Sequence, residues 1–295
     1  MTQFAQATVN GLLQGGLFAL VAVGFSLVWG VMNVINLAHG AFVVVGAYVA
    51  WKLNVAAGVD PFLGMLASAA ALFVIGYVLQ RLLINLVVNA PIWMTLLLTF
   101  GLDLVLVNAL VILFTGNFRS IKTSYASDSF ALGAVRVPHA RLYAFLLAVV
   151  LTAALVVLMD RTRLGLAIRA TGMDRASARL MGIRVRHVYA MTFAIAAALG
   201  GAAGAMVGAI GTFSPASAGA FTLQSFVIAV LGGLGNMWGA LAGGIVLGLV
   251  EAWGGQYVSG SLVNAFAFGV LVVVLILRPA GLLGRPYYEF RVEAG

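Results

Sequence analysis

Residues 160–187 read DRTRLGLAIRATGMDRASARLMGIRVRH and interrupt a chain that is otherwise strongly apolar. The stretch contains seven arginines and two aspartates, a net charge of +5 out of +8 for the whole chain. The apolar segments on both sides suit a lipid bilayer, whereas so many guanidinium groups are costly inside one. We therefore expect residues 160–187 to form a loop outside the membrane, where a partner can contact it.

The composition of the rest of the chain indicates an all-α polytopic membrane protein. Of its 295 residues, 63% are hydrophobic and 8% are charged, against about 25% charged in soluble domains. The apolar segments do not alternate with polar residues, which favours helices over barrel strands. The chain has no cysteine and three scattered histidines, so we expect no disulfide, thiolate chemistry or metal site. We attribute the basic excess to the positive-inside rule and not to nucleic acid.

About 20 apolar residues cross a bilayer, and this length predicts a single transmembrane domain, 1–295, of eight or nine transmembrane or half-membrane helices. The predicted segments lie near residues 8–30, 40–57, 62–86, 92–114, 140–159, 188–211, 220–234, 238–257 and 262–278. The positive-inside rule places the 160–187 loop and the C-terminal tail in the cytoplasm. Counting crossings then places the 115–139 loop and the N-terminus outside. This topology requires residues 220–234 to cross the membrane fully. A re-entrant segment there would leave an odd number of crossings between the 160–187 loop and the C-terminal tail, so both could not be cytoplasmic.

The stretch VMNVINLAHGAF at residues 31–42 is too polar to face lipid and has too little charge for an ordinary loop. Asn33, Asn36 and His39 are spaced at i, i+3 and i+6, which would place them on one side of a helical turn. One interpretation is a broken or re-entrant segment that faces protein or a water-lined cavity on a solute path. The alternative is a short polar turn between two spans, with His39 hydrogen-bonded to a backbone carbonyl.

Two carboxylates fall inside apolar spans, Asp103 about midway along its span and Glu251 in the sequence GLVEAW. A charge at the bilayer centre costs roughly 2.5–3.5 kcal/mol on insertion scales, so such residues usually face a cavity or a partner. Asn108, Asn264 or backbone groups are the candidate partners, because no lysine or arginine lies at a comparable depth. In one interpretation, the two carboxylates and these asparagines line a solute or proton path. In the other, the carboxyl groups are neutral and bridge two helices.

Small residues recur at the spacing that lets helix backbones approach each other closely. Gly200, Gly204 and Gly208 form a GxxxGxxxG pattern, and Gly239 with Gly243 repeats the spacing. We expect these glycines to form helix-packing surfaces in a compact bundle and not a binding site.

The Arg-rich stretch contains the start and stop signals of a short helix. Thr171 precedes Asp174 by three residues, a capping-box pattern with aspartate in the place of glutamate. Gly182 can adopt the left-handed conformation that ends a helix. These signals predict a cytoplasmic helix over residues 172–181, about 15 Å long.

This short helix has an apolar face that suits a groove on a partner protein. Its candidate contact residues, with those at its ends, are Thr171, Met173, Asp174, Arg175, Ala176, Arg179, Leu180 and Gly182. The alternative is that arginines beside membrane spans bind anionic lipid headgroups. We apply that interpretation to the outer arginines Arg161, Arg163, Arg184 and Arg186.

No enzyme motif is present in the sequence. A phosphate-binding Walker A loop requires a lysine after a glycine, and neither Lys52 nor Lys122 follows one. No arrangement of serine, histidine and aspartate or of zinc ligands is recognisable. We expect no catalytic residue and no cofactor in this chain.

Four motifs in order resemble the permeases of branched-chain amino acid (LIV-type) ABC importers. They are GVMNVINLAHGAFVVVGAY at 30–48, the A-x-x-x-G-I-x-V pattern at 178–185, AVLGGLGNMWGALAGG at 229–244 and RPAGLLGRP at 278–286. The length and the N-terminal start are similar to the shorter of that family's two permease subunits.

The resemblance implies an importer in the bacterial cytoplasmic membrane, with a second related permease, two ATPase subunits that bind ATP and Mg²⁺, and an external solute-binding protein. It implies that residues 172–182 form the coupling helix, and that the solute is a branched-chain or related amino acid, an amide, urea or an organic acid. The rival hypothesis is a proton-coupled secondary transporter that uses Asp103 and Glu251 as a relay. A structural membrane subunit without a solute path is the third.

Overall fold

The computed structural model describes residues 2–123, 128–133, 135–257 and 263–284. Its helices are α1 Thr2–Met32, α2 His39–Ala57, α3 Pro61–Leu79, α4 Asn85–Val87, α5 Ile92–Phe114, α6 His139–Arg161, α7 Arg163–Met173, α8 Arg175–Leu180, α9 Val185–Ile210, α10 Ser217–Gly232, α11 Met237–Tyr257 and α12 Val263–Leu277. A π-helical turn, Gln80–Ile84, joins α3 to α4. An antiparallel hairpin of β1 Ser129–Leu132 and β2 Val135–Pro138 precedes α6.

Within these residues, seven helical segments are long and apolar enough to cross a membrane, and α10 and part of α12 are shorter apolar helices. The all-α polytopic fold predicted from the sequence is therefore confirmed. The helix boundaries differ from the predicted spans mainly at the N-terminus, where α1 begins at Thr2 and not near residue 8.

Local signals in the sequence account for several of these boundaries. Asp60 caps the start of α3, where its carboxylate accepts a 2.8 Å hydrogen bond from the Phe62 N–H. Pro61, between these two residues, is the first residue of the helix. Gly58, with a φ of 65°, ends α2 in the left-handed conformation. Ala140, Ala144 and Ala148 form the buried stripe with which α6 meets the bundle.

Helices α1 and α9 form the centre of the bundle, and the other helices surround them. In the most apolar 18-residue stretches of α1 and α9, 89% and 83% of the residues are buried, against 17% in that of α5. Helix α1 packs mainly against α11, and α9 packs against α2 and α3. The peripheral helices expose their apolar side chains to the surface, as expected for contact with lipid or with another membrane subunit.

Glycines bring the backbones of these helices close together. A Cβ atom on Gly204 would lie 1.9 Å from the carbonyl oxygen of Val43 in α2, and one on Gly239 would lie 2.1 Å from that of Gly232. Such distances leave no space for any side chain. A Cβ on Gly200 would meet its nearest neighbour at 3.7 Å, which is an ordinary contact.

The two remaining packing glycines contact different partners. A Cβ on Gly208 would lie 2.9 Å from the Ile121 side chain in the 115–123 segment, and one on Gly243 would lie 2.7 Å from the Ile228 carbonyl oxygen in α10. The GxxxGxxxG pattern therefore meets both a helix and a loop.

Contacts at the two ends of α1 define opposite faces of the bundle. Near its start, the Gln6 side chain exchanges two hydrogen bonds of 2.7 Å with the backbone of Arg136 in β2, and we call this end the hairpin face. Near its end, Gly30 lies so close to Gly172 of α7 that a Cβ on Gly172 would be 3.1 Å from the Gly30 oxygen. We call this end, which carries the 160–187 loop, the arginine face.

The described C-terminal residues also lie at the arginine face. The backbone N–H groups of Leu282 and Leu283 donate to the carbonyls of Leu231 and Gly232 at the end of α10. The N-terminus and residue 284 thus lie on opposite faces, as an odd number of crossings requires. That the arginine face is cytoplasmic remains a prediction of the positive-inside rule.

Candidate functional site

The connection between α1 and α2 is a break inside the bundle. Residues 33–36 have no helical structure, and Asn33 has a φ of 53°. The prediction that Asn33, Asn36 and His39 share one side of a helical turn is therefore wrong. The chain leaves α1 at the arginine face and returns into the bundle before α2 begins at His39.

Two threonines from neighbouring helices hold this break in place. The Thr99 hydroxyl of α5 accepts from the Leu37 N–H at 3.2 Å and donates to the Ile35 carbonyl at 2.8 Å. The Thr222 hydroxyl of α10 accepts from the Gly40 N–H and donates to the Leu37 carbonyl, both at 2.9 Å. These bonds satisfy backbone groups that would otherwise be unpaired away from water.

The break buries two of the three predicted polar residues and exposes the third. His39 is fully buried, and its Nε2 lies 2.8 Å from the carbonyl oxygen of Val21 in α1. The structure therefore contains the hydrogen bond from His39 to a backbone carbonyl that the second interpretation predicted. Asn36 is 1% exposed, and its Oδ1 and the His39 Nδ1 have no hydrogen-bond partner in the part of the chain that is described. Asn33 is exposed at the start of the break.

Glu251 lies in a separate place, between α10, α11 and α12. Its Oε1 accepts a 3.4 Å hydrogen bond from the Nε2 of Gln224. The pair borders a pocket of about 80 Å³ whose other walls are Ala220, Leu223, Val227, Leu247 and Phe268. A carboxyl–amide pair in such an apolar recess can bind a polar group of a small solute or of a neighbouring helix.

Asp103 and Asn108 lie on α5, far along the sequence from the Glu251 pocket. Asn108, one of the candidate partners for the intramembrane carboxylates, is exposed and donates to the Leu104 carbonyl at 2.7 Å. This i to i−4 bond satisfies the amide within its own helix. The Oδ1 of Asp103 is buried without a partner among the described residues. Asn264 lies in α12, and its side chain is outside the described residues.

The seven predicted path residues therefore do not form one cluster. Asn36 and His39 come together in the break, Glu251 pairs with Gln224, and the polar residues of α5 lie elsewhere. The sequence interpretation missed Thr99, Thr222 and Gln224. Their signal in the sequence was a polar residue inside an apolar span. Thr152 and Thr192 share that signal, yet each donates to a carbonyl of its own helix.

The Arg-rich loop contains two helices and not the single helix predicted over 172–181. Thr162 caps α7, and its hydroxyl accepts from the Gly165 N–H at 3.0 Å. Thr171 lies inside α7, where it is buried and donates to the Ala167 carbonyl. Its predicted role as the N-cap is wrong, because α7 continues through it to Met173.

Asp174 is the residue that caps the short helix α8. Its carboxylate accepts from the Ala176 N–H at 2.8 Å and from the Ser177 hydroxyl. The Ser177 hydroxyl and then the Ala176 N–H hold the pKa of this exposed carboxyl below its ordinary value. Gly182, with a φ of 80°, ends the segment, and the Ile183 N–H bonds back to the Ala178 carbonyl, as in a Schellman-type end.

The surface of α8 and its flanks is unusual for a polar loop. Ala178 is buried against the bundle, whereas Met173, Leu180 and Met181 are 87%, 89% and 82% exposed. Ala176 and Arg179 are also exposed, and Arg175 is partly so. Large apolar side chains held outward beside arginines, on a face that carries the charged loop, are typical of a docking surface.

The comparisons with known proteins agree with this geometry. Residues 7–275 match the family described as the permease component of the branched-chain amino acid transport system. The chain belongs to this family. The resemblance that the four sequence motifs indicated is thus confirmed. No solved structure matches this permease.

Individual relatives match nearly the full length of the permease. It is 31% identical over 299 residues to BraD of Pseudomonas aeruginosa, named as a high-affinity branched-chain amino acid transport system permease protein, with 97% of each chain covered. It is 30% identical to LivH of Escherichia coli K12 with the same coverage. LivM of the same organism is 26% identical, and the match covers 95% of this permease but 70% of LivM.

These matches favour the LivH-type length, in agreement with the shorter subunit expected from the sequence. The matched relatives are permeases, and this leaves the proton-coupled secondary transporter without support. The helix contacts also separate the two carboxylates that such a relay would need. Helix α5, which carries Asp103, packs on α2, whereas α11, which carries Glu251, packs on α1, α10 and α12.

Proposed function

We propose that this permease is a membrane-spanning subunit of an ATP-driven importer for branched-chain or related amino acids in the bacterial cytoplasmic membrane. The observation that carries the proposal is the family match over residues 7–275. LivH and BraD relatives are named for branched-chain amino acid transport, and the solute of this permease is taken to be of the same class.

The importer needs subunits that this chain does not supply. A second related permease completes the membrane unit, two ATPase subunits bind ATP and Mg²⁺, and an external solute-binding protein delivers the solute. The match to both LivH and LivM supports a pair of related but unequal permeases. This chain contributes no catalytic residue, and hydrolysis takes place in the ATPase subunits.

Helix α8 is the part of this permease that docks onto an ATPase subunit. It is short, capped at Asp174, ended at Gly182 and anchored to the bundle by the buried Ala178. Because Met173 and Leu180 are almost fully exposed, a groove on the partner can bury them and gain roughly 1.5–3 kcal/mol for each. Closure of the ATPases on ATP then displaces α8, and the permease pair moves between outward-open and inward-open arrangements.

Two polar places are the candidates for contact with the moving solute. The break offers the Asn36 Oδ1 and the His39 Nδ1, which are buried without a partner within the described chain. The second place is the Glu251–Gln224 pair, whose carboxylate can accept from the ammonium group of an amino acid while the apolar walls contact its side chain.

The docking role is tested with the double variant Arg175→Glu and Arg179→Glu. Reversed charge on α8 should abolish co-purification of the ATPase subunits and uptake of radiolabelled leucine. The matched control is Arg161→Glu with Arg163→Glu, which reverses the same charge on the same face outside α8 and should retain both. ATPase activity that stays coupled to uptake in the α8 variant would refute the docking role.

The path role is tested with Glu251→Gln and His39→Ala, alone and combined, in uptake assays on the assembled importer. Glu251→Gln keeps the size and the bond to Gln224, so a rise in KM without a loss of protein would identify a contact with the solute. Asp60→Asn, at the start of α3, is the control for loss of one carboxylate. Unchanged transport in the combined variant would remove both residues from the path.

A further inference from the structure

A cavity at the arginine face lies beside the docking helix α8 and is not part of the proposed solute path. It has a volume of about 650 Å³ and lies between the end of the α3 span and the start of α9. We propose that this cavity is a binding site for a phosphate group, carried by an anionic phospholipid of the adjacent leaflet. The proposal does not depend on the identity of the transported solute.

The first observation is the unbalanced charge of the cavity. Four arginines from three parts of the chain line it: Arg81, Arg179, Arg184 and Arg186. No carboxylate lines it among the described residues, where the one ion pair found joins Arg169 to Asp160 outside the cavity. Four guanidinium groups around one space, with no carboxylate beside them in the described residues, repel each other, and an anion in that space reverses the sign of the interaction.

The second observation is a buried hydroxyl at the same cavity. Tyr189 is 1% exposed and lines the wall, yet its hydroxyl has no hydrogen-bond partner in the described part of the chain. Buried hydroxyls are almost always paired, because leaving one unpaired is costly. An anion among the arginines would accept this hydrogen bond.

The third observation is the helix that begins at the cavity. Helix α9 has 26 residues, and Arg184 at its N-cap position makes no side-chain hydrogen bond to the first turn. Its first residues, including Val185 and Arg186, line the cavity. The Val185 and His187 N–H groups already donate to the Ile183 and Arg184 carbonyls, so it is the positive end of the helix dipole that favours a phosphate at this place.

A phosphate fits this arrangement better than a carboxylate does. It has several oxygens in a tetrahedral arrangement, so arginines from different directions and the Tyr189 hydroxyl can donate at once. The amide of Asn89 at the cavity wall offers a further donor. A carboxylate has two oxygens in one plane and would leave most of these donors unused.

The surroundings of the cavity favour a lipid as the source of the phosphate. On the segment that contributes Arg81, Leu82 and Leu86 are 64% and 79% exposed, and they form an apolar surface on which acyl chains can lie. A headgroup in the cavity would then place its glycerol next to the leaflet. The same phosphate would bridge Arg81 of the α3 span to Arg179 of α8 and hold the short helix against the bundle.

Native mass spectrometry of the detergent-purified chain, with any subunits that co-purify, tests the proposal. Phosphatidic acid and diacylglycerol differ only in the phosphate, and we expect the phosphate-bearing lipid to bind roughly tenfold more tightly or better. Arg81→Gln with Arg186→Gln should remove this preference. Arg169→Gln with Arg278→Gln, which removes equal charge from the same face outside the cavity, should leave it intact.

Tyr189→Phe removes only the hydroxyl and should weaken phosphatidic acid binding by about threefold to tenfold. Inorganic phosphate is the competing probe. If it binds the native chain at least as tightly as phosphatidic acid does, and does not bind the Arg81/Arg186 variant, the site takes soluble phosphate and the lipid source is overturned. Equal binding of the two lipids, or an equal effect of the two double variants, would show only the general field of the arginine face and would overturn the proposal.

Discussion

Replacement of Gly204 by alanine tests how closely α9 and α2 approach each other. A Cβ at this position would lie 1.9 Å from the Val43 carbonyl oxygen and 2.8 Å from the Ala47 nitrogen. The carbonyl would have to retreat by roughly 1.5 Å to reach an ordinary contact of 3.4 Å. Neither group is a flexible side chain, so the helices themselves must separate.

The cost of that separation exceeds the gain from alanine. Overpacking typically costs about 1–3 kcal/mol and sometimes more, and a clash between two backbones lies at the upper end. Alanine returns about 1 kcal/mol of helix propensity relative to glycine. We expect Gly204→Ala to destabilise the fold by about 2 kcal/mol.

Gly200 provides the matched control one turn earlier in the same helix. A Cβ there would meet the Phe42 Cβ at 3.7 Å and fill available space, so Gly200→Ala should be neutral or stabilising by up to about 1 kcal/mol. Thermal unfolding in detergent, followed by size-exclusion chromatography, should separate the two variants by several degrees. Equal melting temperatures would refute the close approach of α9 and α2.

Three further predictions use the same purified protein or the intact cell. Thr222→Val should lower stability by about 1–3 kcal/mol in the thermal assay, because two backbone groups of the break lose their partner, and Thr222→Ser should restore it. Asp174→Ala should reduce ATPase co-purification, whereas Asp174→Asn, which also caps a helix, should retain it. Because the pKa of Asp174 is depressed below its usual 3.8, its charge and cap are lost only as the pH falls through that lowered pKa, so co-purification should not change between about pH 8 and about pH 5. The chain has no cysteine, so an impermeant maleimide should label Gln3→Cys on intact cells and Arg163→Cys only after permeabilisation; the reverse pattern would invert the predicted topology.

The sequence predicted the elements whose signals are local. Composition and segment length identified the membrane helices, and Gly182 marked the end of α8 because few other residues adopt its φ of 80°. The break at residues 33–38 was recognisable as too polar for lipid. Its non-helical geometry was not predictable, because the spacing of Asn33, Asn36 and His39 also fits a helical turn.

The sequence failed where tertiary contacts choose between equal local signals. Thr171 and Asp174 are both good N-cap residues, and their spacing suggested that threonine begins the helix. The packing of Ile168 and Thr171 into the bundle extends α7 through Thr171, so the cap passes to Asp174. The roles of Thr99 and Thr222 depend on which helices adjoin the break, and a single threonine in an apolar span does not reveal this.

The arrangement at the arginine face connects the two parts of the proposed mechanism. Gly172 lies two residues before the cap of α8, and it contacts Gly30 of α1. Gly30 in turn lies three residues before the break begins at Asn33. The glycine pair holds the two backbones close enough that a displacement of α8 pushes on the end of α1 without a compressible side chain between them. Movement of the coupling helix would therefore reach the break directly, where Thr99 and Thr222 set its resting position.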